Sequence, residues 1–150
     1  MSHKLIGIAL MLALIENFAG CISLTSIPTS ASFSFVTLEQ GHYSGVQESL
    51  ERVIQTYKEW KIFWEQHQSG VVRQQPVQIN FPHVSAIAVF VGGRSDGRYS
   101  VEITSVVREK NHITVTYQEV IAEGNCKYIA AATHPYHIVL TLLNKVMVVE

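Results

Sequence analysis

Most of the chain alternates apolar and polar positions in short runs, and one stretch repeats apolar positions at helical spacing. Residues 33–38 alternate partly and predict a first strand. Residues 46–55 suit either the start of a helix or a short strand over 52–55. The pattern changes at Thr56. Thr56-Tyr57-Lys58-Glu59 forms a capping box, in which the threonine and the glutamate three residues later each satisfy an orphan amide at a helix start. Trp60, Phe63, Trp64 and His67 then follow at i, i+3, i+4 and i+7, one face of a helix that Ser69-Gly70 ends. Such a stripe predicts a packing face for the core, not a ligand box. Pro76 and Pro82 bracket residues 77–81. Residues 84–91 are apolar almost throughout, which predicts a central strand buried on both faces. Gly92-Gly93-Arg94-Ser95-Asp96-Gly97 predicts a turn, and residues 99–108 an alternating strand. A tight turn at 109–111 leads to a strand over 112–121, with Ile113, Val115 and Tyr117 on one face. A longer connection over 122–133 precedes a strand over 136–143, and residues 146–149 add a possible edge.

The elements sum to an α+β fold, in which one Trp-bearing helix packs on a curved antiparallel sheet of four to six strands. The short turns predict a meander of consecutive antiparallel pairs. A β-roll or sandwich with one helix is the alternative.

The first residues read as an address. A short positive start, Met1-Ser2-His3-Lys4, precedes an uninterrupted apolar run over 5–15. That run suits a signal sequence and falls well short of the ~20 residues needed to span a bilayer. Phe18-Ala19-Gly20-Cys21 resembles a bacterial lipobox, with Phe18 where leucine is usual and Glu16 interrupting the approach. The expected organisation is a signal peptide over 1–20, a Ser/Thr-rich tether over 21–34 beginning at an acylated Cys21, and an α+β domain over 35–150. The protein is then exported and lipid-anchored to the cell envelope, at the outer membrane where the cell has two. The alternative is a secreted or periplasmic protein.

Composition narrows the chemistry. A chain of 150 residues at 47% hydrophobic supports one core without metals or disulfide staples. A formal net charge of −1 with no basic block gives nucleic acid no electrostatic footprint. Asp96 is the sole aspartate and sits in a turn, so neither an aspartic dyad nor a Ser-His-Asp triad with a buried orienting carboxylate is expected. Processing at Cys21 leaves Cys126 as the only thiol, read as a small buried hydrophobe. His134 and His137 lie three apart entering a strand, where odd spacing sends them to opposite faces, against a shared metal. The segment Gly92-Gly93-Arg94-Ser95-Asp96-Gly97-Arg98 lacks the Gly-Lys-Ser/Thr of a phosphate loop and precedes a strand, not a helix. No catalytic residue, metal ligand or cofactor is assigned.

A set of motifs remains: Gln40-Gly41-His42-Tyr43-Ser44-Gly45, Val53-Ile54, Trp60-x-x-Phe63-Trp64 with His67, Ile79-Asn80-Phe81, Gly92-Gly93, Gly97-Arg98-Tyr99-Ser100-Val101-Glu102-Ile103, and Thr133-His134-Pro135-Tyr136-His137-Ile138-Val139. Over residues 39–148 the chain resembles the PrcB family, named for a lipoprotein that stabilises a surface protease complex. Asn80 stands where the family commonly has aspartate, and Arg98 where glycine is usual. The resemblance implies a PrcB-like domain over 35–150 and a non-catalytic accessory role beside an exported protease or other surface complex. A small-ligand or peptide-binding, inhibitor-like domain is the alternative. Partners are then a protein, reached through Arg94, Asp96, Arg98, Tyr99, His134 and Tyr136, and the membrane, reached through the N-terminal lipid.

Overall fold

The computed structural model describes residues 30–70, 74–109, 112–124 and 127–142. Cys21, Cys126, the turn at 110–111, the residues of the apolar leader, most of the tether and the edge expected over 146–149 lie outside the described residues. Strands β1 (Ser30–Ser32), β2 (Phe35–Gly41) and β3 (Ser49–Ile54) precede helix α1 (Tyr57–His67). Strands β4 (Ser85–Val91), β5 (Tyr99–Glu109), β6 (His112–Ile121) and β7 (Tyr136–Thr141) follow it. They form a four-stranded sheet in the order β2-β7-β4-β3 and a three-stranded sheet in the order β1-β5-β6, with every pairing antiparallel.

The class is α+β, with the Trp-bearing helix on an antiparallel sheet, but the strands divide into two sheets and do not run as one meander. Among the described residues, β5 and β6 pair as immediate sequence neighbours, with Glu109 opposite His112. β7 inserts between β2 and β4, and the segment after β4 crosses to the other sheet. The composition of β4 explains the division. All seven of its residues are buried. Ala86, Ala88 and Phe90 enter the core beneath the helix, while Ile87, Val89 and Val91 enter the core between the sheets. A strand apolar on both faces needs a layer on each side. β5, apolar on alternate residues, supplies the outer layer with one face turned to solvent.

Thr56 caps α1 by accepting the Glu59 amide at 3.2 Å, and its hydroxyl donates to the Glu59 carboxylate at 3.0 Å. A cap of this kind contributes about 1 kcal/mol. Trp60, Phe63, Trp64 and His67 are the buried face of the helix. The small side chains of Ala86 and Ala88 lie in the same layer as the large rings, so wide and narrow residues interlock. The tryptophans are also staples. The Trp60 indole donates to the Val77 carbonyl at 3.0 Å and the Trp64 indole to the Gln74 carbonyl at 2.9 Å. Two residues four apart on the helix thus hold the irregular segment that follows it.

Candidate functional site

The loop after β4 begins at Gly92, which adopts a φ of 77° that favours glycine. Arg94 pairs through its backbone with Thr133, donating at 2.8 Å and accepting at 3.0 Å. The Gly97 amide donates to the Ile129 carbonyl, and the Thr133 hydroxyl donates to the Asp96 carbonyl, both at 2.8 Å. The loop over 92–98 is therefore sewn to the segment over 127–134 at one end of the molecule.

The charges of the loop are paired internally. The Arg94 guanidinium forks onto Glu119 of β6, with Nε 2.9 Å from Oε2, and holds that carboxyl below the usual carboxylate range. Asp96 accepts the Arg98 amide at 3.0 Å and both guanidinium contacts at 3.0 and 2.9 Å. Those bonds bring Asp96 down to about 2. Arg98 also lies 5.0 Å over the Tyr128 ring, a cation–π distance. Tyr99 opens β5, half-buried and paired in register with Ile121. Around Arg98, Ile121, Tyr128 and Ile129 are all exposed, and Ile121 and Tyr128 line the same open cleft as Arg98. Arginine, tyrosine and aliphatic side chains in one exposed cluster match the composition of protein-binding hot spots in their aromatic and arginine anchors.

The second motif lies elsewhere. His134 is half-buried, its amide donating to the His42 carbonyl at 2.8 Å. Tyr136 is in the core at 5% exposure, so its side chain does not share the surface of the loop arginines. Its hydroxyl donates to Glu39 Oε1 at 2.9 Å, and burial, ahead of that bond, pushes its ionisation up. Glu39 Oε2 lies 3.3 Å from His67 Nε2, and Ser44 Oγ lies 2.8 Å from His67 Nδ1. Ser44 Oγ also accepts the Val46 amide at 3.0 Å. The carboxylate can only accept when ionised, so Nε2 carries the proton and the Ser44 hydroxyl donates to Nδ1. The bond with His67, ahead of the opposing cost of burial, holds Glu39 below the usual carboxylate range.

This serine, histidine and acid have the membership of a hydrolytic triad with the nitrogens reversed. In a hydrolytic triad the serine faces Nε2 and the acid faces Nδ1. Ser44 and His67 are both buried and His67 is wrapped by Phe63, Trp64, Phe90 and Tyr136. The network binds β2, the loop after it, the end of α1 and β7 into one unit. The loop can approach because Gly45 has no side chain. Its amide donates to the His67 carbonyl at 2.8 Å, and a Cβ there would stand 2.3 Å from the Gln66 carbonyl oxygen. Sequence reading named Ser44, His67 and Tyr136 within motifs but not Glu39, and missed the network, because its members are far apart in the chain.

His137 faces the other way, into the space between the sheets. Its Nδ1 accepts the Ile103 amide of β5 at 2.8 Å, so Nε2 carries the proton and donates to Thr37 Oγ1 at 2.8 Å. Its register partner Gln40 donates to the Val101 carbonyl at 2.7 Å. Two adjacent side chains of one sheet thus satisfy backbone groups on the edge of the other. Burial lowers the His137 pKa, opposed by the charge of Glu102. Both ring nitrogens are committed. Among the described residues no group of three or more His, Cys, Asp or Glu side chains is arranged to hold a metal ion, and no helix is long and apolar enough to cross a membrane.

No curated protein and no solved structure matches the chain. A protein family does. Residues 85–141, from the start of β4 to the end of β7, match the family described as PrcB C-terminal. The match takes in the arginine loop, the exposed cluster around it and the Thr133-to-Val139 motif, and over these residues the chain is similar to the PrcB C-terminal family.

Proposed function

We propose that this protein is a non-catalytic accessory factor of the cell envelope that binds and stabilises an exported protease or another surface complex. The observation that carries the reading is the exposed cluster of Ile121, Tyr128 and Ile129 around Arg98, on a loop whose backbone is fixed by hydrogen bonds. A preorganised patch loses little entropy on association. The PrcB C-terminal match, which includes this patch, supports the same role. The internal pairing of Arg94 and Arg98 assigns the arginines to shaping the surface, and the apolar and aromatic groups to the contact. A ligand held between helix and sheet is not favoured, since Trp60, Phe63, Phe90 and Ile138 fill that space and are fully buried. The leader and Cys21 are the proposed anchor, with the acyl chains holding the domain at the membrane.

The test is capture of the full-length protein from its own envelope fraction, beside a Tyr128→Ala/Ile129→Ser variant and a Cys21→Ser variant. The expected result is recovery of a protease or assembly with the parent, its loss with the first variant at unchanged thermal stability, and release of the Cys21→Ser protein from the membrane. Equal recovery by parent and patch variant would remove this surface from the interaction, and no recovery by either would remove the stable complex.

A further inference from the structure

β6 ends the outer sheet. Among the described elements it pairs with β5, and no strand pairs with its other side. The Ala122 amide donates to the Arg98 carbonyl at 2.9 Å, so that residue turns its backbone groups toward β5. Hydrogen-bonded and non-bonded pairs alternate along an antiparallel ladder. Ile121, Glu119 and Tyr117, opposite Tyr99, Val101 and Ile103, therefore turn their amides and carbonyls away from β5. The same phase holds beyond the irregularity between Ile103 and Ser105. The Val106 carbonyl accepts the Phe33 amide on the β1 side at 2.9 Å, so its register partner Val115 also faces outward, as does Ile113.

The other outer strands are guarded. β2 is bulged between Thr37 and Glu39, β1 spans three residues, and β3 spans six with Glu51 and Arg52 at its centre. Bulges, shortness and charge are devices that keep an edge from pairing. β6 spans ten residues without proline or lysine, and its one carboxylate, Glu119, is taken up by Arg94. A row of outward amides and carbonyls is matched in full by one chemistry, the backbone of another extended chain. The half-buried row of Ile113, Val115 and Tyr117, packed on the aliphatic layer, sets the side chains of that chain: apolar at alternate positions, so that the layer continues by one strand. Ile121, 53% exposed, ends the edge in the cleft it shares with Arg98 and Tyr128. We propose that the protein partner docks by strand addition, laying an extended segment with alternating apolar residues along the free edge of β6 and reaching the Arg98 cluster at its end. This mode of contact rests on the accessory role proposed above.

The test takes the assembly that the full-length protein captures from its own envelope fraction and reads amide-resolved hydrogen–deuterium exchange of the free and bound protein in detergent. Exchange is expected to slow about tenfold in the complex at Val115, Tyr117, Glu119 and Ile121, with smaller changes at Gln118 and Val120, whose amides already face β5. Ile121→Pro removes one outward amide at an edge position that accepts proline, and should lower recovery of the assembly about tenfold at an unchanged melting temperature. Ile121→Val keeps the amide and should keep the recovery. A complex that forms with the outward amides unchanged, or equal recovery by the Ile121→Pro protein, overturns strand addition and leaves the accessory role standing. Slowing of the same amides that rises with protein concentration, without envelope proteins, overturns it in favour of a second copy. Recovery of no assembly removes the accessory role and strand addition with it.

Discussion

The two faces of β4 open into layers built on different principles. Toward the helix, rings dominate: Trp60, Phe63, Trp64, Phe81, Phe90 and Tyr136, with His67 among them. Several of these rings carry a polar atom, and each is bonded to a specific acceptor or donor: Val77 and Gln74 carbonyls, Ser44, Glu39. Toward the outer sheet the layer is aliphatic, made of Ile87, Val89, Val91, Val101, Ile103, Val106 and Val139. It is held by buried area, by a polar seam of His137 with Gln40 and Thr37, and by the Tyr117 hydroxyl of β6 donating to Glu51 of β3 at 2.7 Å. The helix layer must fix irregular chain, residues 41–45 and 74–80, which has no ladder of its own, so side-chain bonds do that work. The outer layer joins regular strands and carries fewer such bonds, the His137 and Gln40 bonds falling where β5 lacks a neighbour on that side.

The contrast is broken most severely at Trp60. Trp60→Ala empties the centre of the ring cluster and orphans the Val77 carbonyl, for an expected loss of about 4 kcal/mol in urea unfolding. Ile103→Val in the aliphatic layer is expected to cost only about 1 kcal/mol. Comparable losses would erase the distinction between the layers.

His67→Phe keeps an aromatic ring, slightly larger, and removes both hydrogen bonds, leaving Ser44 without its ring acceptor and Glu39 with Tyr136 alone. The expected loss is about 2–3 kcal/mol. It should come with faster hydrogen exchange in residues 41–46, because the loop after β2 loses its clamp. A stability equal to the parent would show that ring packing alone holds this unit.

His137 gives the outer layer a pH signature of its own. Its pKa is lowered in the folded state from the ordinary 6.5, so the unfolded chain takes up the proton first. Its stabilising contribution is complete above pH 6.5 and declines as the pH falls toward the folded-state value. His137→Leu is expected to cost about 2 kcal/mol at neutral pH, by orphaning the Ile103 amide. The same variant should flatten stability between pH 6.5 and 5 relative to the parent, as read by thermal melts across that range. An unchanged slope would move the pH dependence to another group.

The smallest effect on folding is expected at the exposed cluster, in neither layer. Tyr128→Ala should stay within about 0.5 kcal/mol of the parent, since the ring is exposed and its contact is the Arg98 guanidinium. A larger loss in a melting experiment would make Tyr128 a structural residue and remove it as a binding anchor.

Local pattern alone determined much of this protein. The capping box and the i, i+3, i+4, i+7 stripe located α1 and its buried face, because helix start signals and periodicity act over one or two turns. The unbroken apolar run identified β4 as buried on both sides, and alternation located β5 and β6. The pairing of strands was not legible. Short turns suggested a meander, yet β7 sits between β2 and β4 in the sheet. The roles of the motif residues were equally hidden. Tyr136, grouped in sequence with surface residues, lies in the core. The arginines of the 92–98 loop, read from sequence as partner contacts, are paired with Glu119 and Asp96. Hydrogen bonds between residues far apart in the chain leave no periodic trace in sequence. Only the fold brings Glu39, Ser44, His67 and Tyr136 to within bonding distance, and only there do they become one network.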